Sequence, residues 1–171
     1  MPLGDYLFHR SMERAHDEDI PVQIHTGYLA GNWMGLTGTS IELLIPIFDT
    51  CRRVRFDTFH ASWPWASELG VIAKNYPNVF PDLCWAWAMN PDGSERALSE
   101  WLDGVPYNKI LGYGADTGLP WCDVGYALQA RLGIARVLDR KIEANAFSRE
   151  KAEEIAAAIM LGNGEEFFGL G

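Results

Sequence analysis

The stretch Val22-Gln23-Ile24-His25-Thr26-Gly27 begins with two β-branched residues around a polar one and ends on a histidine, a threonine and a glycine. This pattern is typical of a short strand that enters a loop. A second run, Val54-Arg55-Phe56-Asp57-Thr58-Phe59-His60, has the same character and also ends on a histidine. Apolar residues recur at three- and four-residue intervals over 3–17, which predicts a helix before the first strand. Another helix is predicted between the two strands, over about 39–52.

The same alternation of strand and helix continues to the end of the chain. Two further strands are predicted over 79–85 and 109–114, and the fourth runs directly into Ala115-Asp116. Helices are predicted over 65–75, 93–102, 122–144 and 148–161, followed by a short last helix. Strands that alternate with helices of about ten or more residues indicate an α/β fold with a parallel sheet.

The composition limits the classes of protein and partner. A length of 171 residues and a hydrophobic content of 48% predict a single folded domain over 1–171. A net charge of −9 argues against nucleic acid and an anionic membrane surface as partners, since both attract basic proteins. No apolar run reaches the roughly 18–20 residues of a membrane span, and the amino terminus lacks a signal-peptide pattern. Three widely spaced cysteines argue against a disulfide framework, so a cytoplasmic location is expected.

Three side chains that can bind a metal fall at the carboxyl ends of predicted strands, namely His25, His60 and Asp116. Ligand sites of parallel α/β folds lie at this end of the sheet, so the three are expected to converge. Two imidazoles and a carboxylate suit Zn²⁺ or a similar divalent ion, and a nearby carboxylate can accept a proton from an activated water. The alternative is that each histidine is a structural, hydrogen-bonded residue. His9 and His16, seven residues apart in the first helix, are interpreted as solvated side chains.

Six of the seven tryptophans close or follow a predicted strand. They are Trp33, Trp63, Trp65, Trp85, Trp87 and Trp121, whereas Trp101 belongs to a helix. Aromatic walls around a polar centre suit a small organic substrate with a flat or ring-shaped portion, so these six are predicted to bind substrate. The alternatives are that they cover the open end of the sheet or form a subunit contact.

Segments along the chain resemble, in the same order, segments of the amidohydrolase-related family of metal-dependent (β/α)₈ barrels. Pro21–Gly27 is similar to the segment around the family's fifth strand. Phe59–Ser62 resembles the sixth strand, and Tyr76–Val79 resembles the passage from the following helix into the seventh strand. Lys109–Asp116 resembles the eighth strand with its terminal aspartate, and Ile159–Leu170 resembles the closing helix. The resemblance spans nearly the whole chain.

The resemblance implies a role for each strand-end side chain. His25 would be a metal ligand from strand five, and His60 a ligand or a base that orients substrate or water from strand six. Asp116 would be a ligand and the general base from strand eight. The implied cofactor is a divalent metal ion, with zinc expected. The implied reaction is attack of a metal-activated water on an amide, ester or lactone of a small molecule, and the alternatives within the superfamily are decarboxylation and sugar-acid isomerisation.

Departures from the family pattern bear on the size of the fold. The family draws a His-x-His pair from its first strand, and this sequence contains none. Gly164 stands where the closing helix of the family usually has alanine. Residues 1–171 therefore resemble only about strands 5–8 of a TIM-type (β/α)₈ barrel with their helices, a half-barrel expected to be a fragment of a larger barrel. Because four strands cannot close a barrel, the expected partner is a second copy or a missing amino-terminal half-barrel.

Two interpretations without catalysis stay open. A non-catalytic half-barrel would serve in binding or assembly and would lack a full set of ligands. An unrelated flavodoxin-like α/β domain would have an open, flat sheet with helices on both faces. The metal content of the purified protein separates the first interpretation from an enzyme, and the shape of the sheet tests the second.

Overall fold

The protein is built around a three-stranded parallel sheet, seen in a computed structural model that describes residues 2–170. The strands are β1 (Val22–Ile24), β2 (Phe56–Thr58) and β3 (Val79–Pro81), in the order β1-β2-β3. Their first residues lie side by side, because Val22 pairs with Phe56 and Phe56 with Val79. The three carboxyl ends therefore lie at one edge of the sheet.

Helices account for most of the remaining chain. They are α1 (Leu3–Asp17), α2 (Ile45–Thr50), α3 (Ala66–Asn75), α4 (Ala86–Met89), α5 (Pro91–Gly104), α6 (Pro120–Glu143), α7 (Arg149–Ala157) and α8 (Asn163–Phe168). Short 3₁₀ segments occupy Ile41–Leu44, His60–Ser62 and Tyr107–Lys109, and a π-helical turn at Ala158–Gly162 joins α7 to α8. Between residues 2 and 170, none of the helices has both the length and the apolar character needed to cross a membrane, the 24-residue α6 included.

The fourth strand predicted over 109–114 does not form as a strand. Only one residue of it, Leu111, pairs with the sheet, through a parallel bridge to Asp82. The amide of Leu111 donates to the Pro81 carbonyl, and the amide of Leu83 donates to the Leu111 carbonyl. The amide of Gly112 points to the other side, as alternate amides of a parallel strand do, and donates to the carbonyl of Ile159 in the π-helical turn.

One face of the sheet packs on the hydrophobic core, and the other carries Gln23, Asp57 and Phe80. Phe56 and Val79 are fully buried in the hydrophobic core, where the Phe56 ring packs against Phe48 of α2. Side chains alternate along a strand, so Gln23 and Asp57 lie on the opposite face, where the Gln23 amide donates to Asp57 at 3.0 Å. In the part of the chain that the structure describes, no strand pairs with the outer edge of β1.

Candidate metal centre

Three side chains from three separate loops meet at the carboxyl edge of the sheet. His25 follows β1 directly, His60 lies two residues after β2, and Asp116 lies in the loop that leads into α6. One potential ligand atom from each lies within 4.8 Å of the other two. The Nε2 atoms of His60 and His25 approach the same carboxylate oxygen, Asp116 Oδ2, at 3.1 Å and 3.5 Å. The structure thus brings together all three residues predicted as ligands from the sequence.

The hydrogen bonds of His60 indicate which of its nitrogens is free to bind an ion. Its Nδ1 lies 3.0 Å from the backbone carbonyl of Tyr28, and a carbonyl can only accept, so Nδ1 carries the proton. In a neutral ring the Nε2 lone pair then faces Asp116 Oδ2, so that two acceptors face each other. A cation between them removes this conflict, and a backbone partner on the second ring nitrogen is the usual arrangement of a ligating histidine.

The environment of the centre favours the neutral form of His60. Burial lowers the pKa of His60, and the hydrogen bonds to Asp116 and Tyr28 oppose this effect without cancelling it. Neutral imidazole is the form that binds metal ions. His25 and Asp116 remain partly exposed, so the centre has one buried wall and an open side through which an ion or a substrate can reach it.

The chain around His60 adopts an unusual backbone conformation. His60, Ala61 and Ser62 all have positive φ, at 67°, 51° and 50°, although none of them is glycine. Such residues cost on the order of 1–3 kcal/mol each and persist only where the surroundings impose them. Here the amide of Ala61 donates to the carbonyl of Asp82, and Gly27 lies so close that a Cβ would overlap the backbone of Ser62. Strain of this kind is concentrated at functional sites.

A cleft of about 420 Å³ opens over the three side chains. Its lining residues are His25, Leu29, Ala30, Met34, His60, Trp85, Asp116 and Thr117. The Trp85 ring stacks on Tyr28 at 6.0 Å between centroids and meets His60 edge-on at 5.2 Å. The cleft therefore has a polar floor and largely apolar walls, with one aromatic pair beside the candidate ligands.

The other five tryptophans predicted to bind substrate do not line this cleft. Trp33 and Trp121 project into solvent, Trp63 is about one-third exposed, and Trp65 packs against the core at the start of α3. Trp87 is a core residue: it is 1% exposed, its indole N–H donates to the Gly112 carbonyl, and a Cβ at Gly133 would overlap its ring. The prediction for Trp87 is corrected because β3 ends at Pro81 and residues 86–89 form α4.

Sequence reasoning did not single out two buried carboxyl groups beneath the centre. Asp57 of β2 and Asp82 just after β3 are both buried. Burial raises the pKa of Asp57 to about 6 and raises that of Asp82 well above its usual value. One sequence signal was available, namely an acidic residue in the middle of a predicted strand. Cys84 is buried nearby, and burial raises the pKa of its thiol.

Comparisons with known sequences agree with this picture. The family model described as Amidohydrolase matches residues 2–170 of the chain. Protein fluG of Emericella nidulans is 27% identical over 175 residues, which cover 99% of this chain and 20% of fluG. The chain therefore spans about one-fifth of this curated relative.

Three solved structures share the fold. A protein described as a metal-dependent hydrolase from Lactobacillus casei ATCC 334 superposes with a TM-score of 0.83 at 21% identity, covering 99% of this chain and 44% of that one. Uronate isomerase from Thermotoga maritima gives a TM-score of 0.77 at 13% identity, and the match covers 95% of this chain and 40% of the isomerase. Glucuronate isomerase from Caulobacter crescentus gives a TM-score of 0.79 at 17% identity, and the match covers 96% of this chain and 38% of the isomerase. The chain spans less than half of each of these proteins.

Proposed function

The chain belongs to the amidohydrolase family, and we propose on this premise that it forms the carboxy-terminal half of a (β/α)₈ barrel with a metal site at His25, His60 and Asp116. The parallel sheet and the fold shared with longer superfamily members support the half-barrel. The proposed activity is metal-dependent hydrolysis of an amide, ester or lactone in a small organic substrate, with zinc as the metal and the cytoplasm as the location.

The observation that carries the proposal is the arrangement of three donor atoms around one point. Both imidazole Nε2 atoms lie near Asp116 Oδ2, and for His60, whose Nδ1 donates to the Tyr28 carbonyl, neither the neutral Nε2 lone pair nor the carboxylate oxygen can donate to the other. Two nitrogen donors and one carboxylate are a typical ligand set of catalytic zinc sites, which keep a further position open.

Each residue of the centre has a distinct part in the proposed reaction. When bound, a divalent cation would supply Lewis-acid activation of a water molecule and of the substrate's carbonyl group. Asp116 is partly exposed at the mouth of the cleft, where its carboxylate can accept the proton of the attacking water. The Tyr28 carbonyl holds the His60 ring in place. Trp85 and Tyr28 cover one side and limit access of bulk water.

The cleft walls that this chain supplies suit a neutral ring, and isomerisation of a sugar acid is the second candidate reaction. Two isomerases share the fold, so this second activity is compatible with the fold. An acidic sugar carries a carboxylate, which proteins usually bind through arginine or lysine. The eight residues that line the cleft include neither, and Leu29, Ala30, Met34 and Trp85 provide apolar contact for a ring.

Metal binding tests the proposal with a matched control in the same chain. Wild-type protein reconstituted with zinc and desalted should retain about one ion per chain, measured by elemental analysis. The variant His25→Ala/His60→Ala should lose this ion, whereas His9→Ala/His16→Ala, which removes two histidines of α1, should retain it. Equal zinc contents in both double variants would remove the basis of the metal site. The wild type and Asp116→Asn are then compared for zinc content and for hydrolysis of a panel of aryl amides and lactones. If zinc is bound and the substitution changes neither quantity, a non-catalytic binding protein is favoured.

A further inference from the structure

Two buried carboxyl groups without a cationic partner lie beneath the candidate metal centre. Asp57 of β2 is 0% exposed and Asp82, just after β3, is 4% exposed, so residues of this chain already cover both. The Gln23 amide donates to Asp57 Oδ2 at 3.0 Å. The Cys84 N–H donates to Asp82 Oδ1 at 2.8 Å. Both donors are neutral, and no lysine or arginine of residues 2–170 pairs with either carboxyl group.

The sheet places the two carboxyl groups beside each other. Asp57 is in register with Phe80, and Asp82 lies two residues beyond Phe80, so the side chains of Asp57 and Asp82 point to the same face. Their carboxyl groups are within hydrogen-bonding reach of each other. Even so, Asp57 Oδ1 is a buried atom that has no hydrogen-bond partner among residues 2–170. Two ionised carboxyl groups can only accept, so their contact leaves this oxygen unsatisfied.

A proton held between the two carboxyl groups removes this conflict. Two negative charges in contact at a buried site repel each other, so one member of such a pair keeps its proton. Burial and the charge of Asp57 raise the pKa of Asp82 well above its usual value, and burial raises that of Asp57 to about 6. Near neutral pH the pair therefore holds one proton, through which Asp82 can donate to Asp57 Oδ1.

The backbone of Asp82 holds the strained turn that carries His60. Its N–H donates to the Thr58 carbonyl at 3.1 Å, and its carbonyl accepts from the Ala61 N–H at 2.8 Å. These two bonds fix the chain just before Phe59 and just after His60. The positive φ angles of the turn persist only where the surroundings impose them, so the position of Asp82 bears on the position of the His60 ring.

We propose that Asp57 and Asp82 share one proton and that this protonated pair positions His60 by holding Asp82 against the turn. Neither residue lines the cleft, so both are positioning residues. Without the proton, two like charges would push the carboxyl groups apart, and a displaced Asp82 would release the Ala61 N–H and with it the turn. The consequence for metal affinity rests on the metal centre proposed above.

Infrared spectroscopy tests for the proton directly, because the C=O stretch of a protonated carboxyl group is separate from the bands of carboxylates. At about pH 7, where ordinary carboxyl groups are ionised, the wild type should show this band with the intensity of one group per chain. Asp57→Asn/Asp82→Asn should lose the band. Glu95→Gln is the control and should keep it, because Arg136 and Arg140 hold Glu95 ionised. A wild type without the band would overturn the shared proton.

Magnetic resonance of the His60 ring tests the positioning without any metal. The Nδ1 proton, which donates to the Tyr28 carbonyl, should give a slowly exchanging signal that is identified by its loss in His60→Ala. Asp82→Asn should keep the signal, because its amide can accept from the Cys84 N–H and donate to Asp57 in place of the proton. Asp82→Ala removes both bonds and should lose the signal. Asp57→Ala should have the same effect and serves if Asp82→Ala does not fold.

Competition with a chromophoric zinc chelator measures the effect on the metal centre. Asp82→Ala should bind zinc about 10–100-fold more weakly than the wild type, whereas Asp82→Asn should stay within about threefold of it. Asn163→Ala is the matched control, because it also removes a buried polar side chain, one that donates to the Tyr107 and Ile110 carbonyls. This control should lose stability and keep both the His60 signal and the zinc affinity.

The rescue by asparagine separates positioning from a general loss of stability. The proposal is overturned if folded Asp82→Ala keeps the His60 signal, or if Asp82→Asn loses it as Asp82→Ala does. The metal centre can fail independently of the pair. A wild type that binds no zinc but shows the infrared band and the expected His60 signals would remove the metal site and support the protonated pair.

Discussion

Gly27 links the loop after β1 to the strained turn at His60–Ser62, and Gly27→Ala should weaken both the fold and the metal centre. Gly27 has φ of 68°, in the left-handed region, and a Cβ there would overlap the backbone of Ser62 and the carbonyl oxygen of Trp63. Both obstacles are main-chain atoms, which cannot move aside as a flexible side chain can. The next residue, Tyr28, supplies the carbonyl that orients His60.

The expected loss of stability has two sources. Left-handed backbone costs alanine about 1–2 kcal/mol, and forcing a methyl group into a packed contact costs about 1–3 kcal/mol. The free energy of unfolding should therefore fall by about 2–5 kcal/mol. Because the loop must move away from Ser62, the Tyr28 carbonyl moves with it, and loss of such a support typically lowers metal affinity by about 10–100-fold.

Urea unfolding and competition with a chromophoric zinc chelator measure the two effects. Gly164→Ala is the control, because Gly164 lies in α8 with nothing within 4 Å of an added Cβ. This variant should gain about 0.5–1 kcal/mol from helix propensity and keep its zinc affinity. A folded Gly27→Ala protein that binds zinc as tightly as the wild type would refute the reasoning that Gly27 positions the support of His60.

Three further predictions follow from buried groups. Trp87→Ala should lower the free energy of unfolding by about 3–5 kcal/mol, whereas Trp33→Ala at a fully exposed site should change it by less than about 0.5 kcal/mol. The pKa of Asp57 is raised to about 6, so the folded protein keeps this proton up to a higher pH than the unfolded chain does. The free energy of unfolding should therefore fall by about 3 kcal/mol as the pH rises from about 4 to about 6. Asp57→Asn should reduce this fall in urea titrations across that range. Cys84 should resist a thiol reagent until urea unfolds the protein. If Cys84 reacted as fast in the native protein as in the urea-unfolded protein, that result would contradict its burial.

Local patterns in the sequence were sufficient for most of the long helices and for the convergence of the three candidate ligands. The helix predicted over 3–17 has these bounds in the structure, because its apolar spacing and the polar stop at Asp17 are both local signals. His25, His60 and Asp116 could be grouped because carboxyl ends of parallel strands meet, and this rule needs only the order of strands. Asp116 reached the centre although its own strand is reduced to one bridge, since the bridge still directs the chain to the same edge.

Features that depend on distant segments could not be predicted. Residues 109–114 have strand-like composition, but only Leu111 pairs with the sheet, and the amide of Gly112 donates to the carbonyl of Ile159, nearly fifty residues later. Trp87 was placed at the rim because the third strand was predicted to continue to residue 85. The chain instead turns into α4 after Trp85, which adopts φ of 57°, and this turn points Trp87 into the core. No residue type at these positions signals a left-handed turn.

The hydrophobic content of 48% has a different meaning once the structure is known. Composition counts the side chains that are more stable when buried, and it does not show whether this chain alone can bury them. Leu128 and Leu7 contribute to that percentage as much as the core residue Leu69 does, although both are more than half exposed and Leu69 is fully buried. A chain that must close a larger fold with a partner therefore has the composition of a complete domain. What distinguishes it is the location of the exposed apolar residues, and here Leu7 lies in the helix before β1 and Leu128 in the helix after the Leu111 bridge.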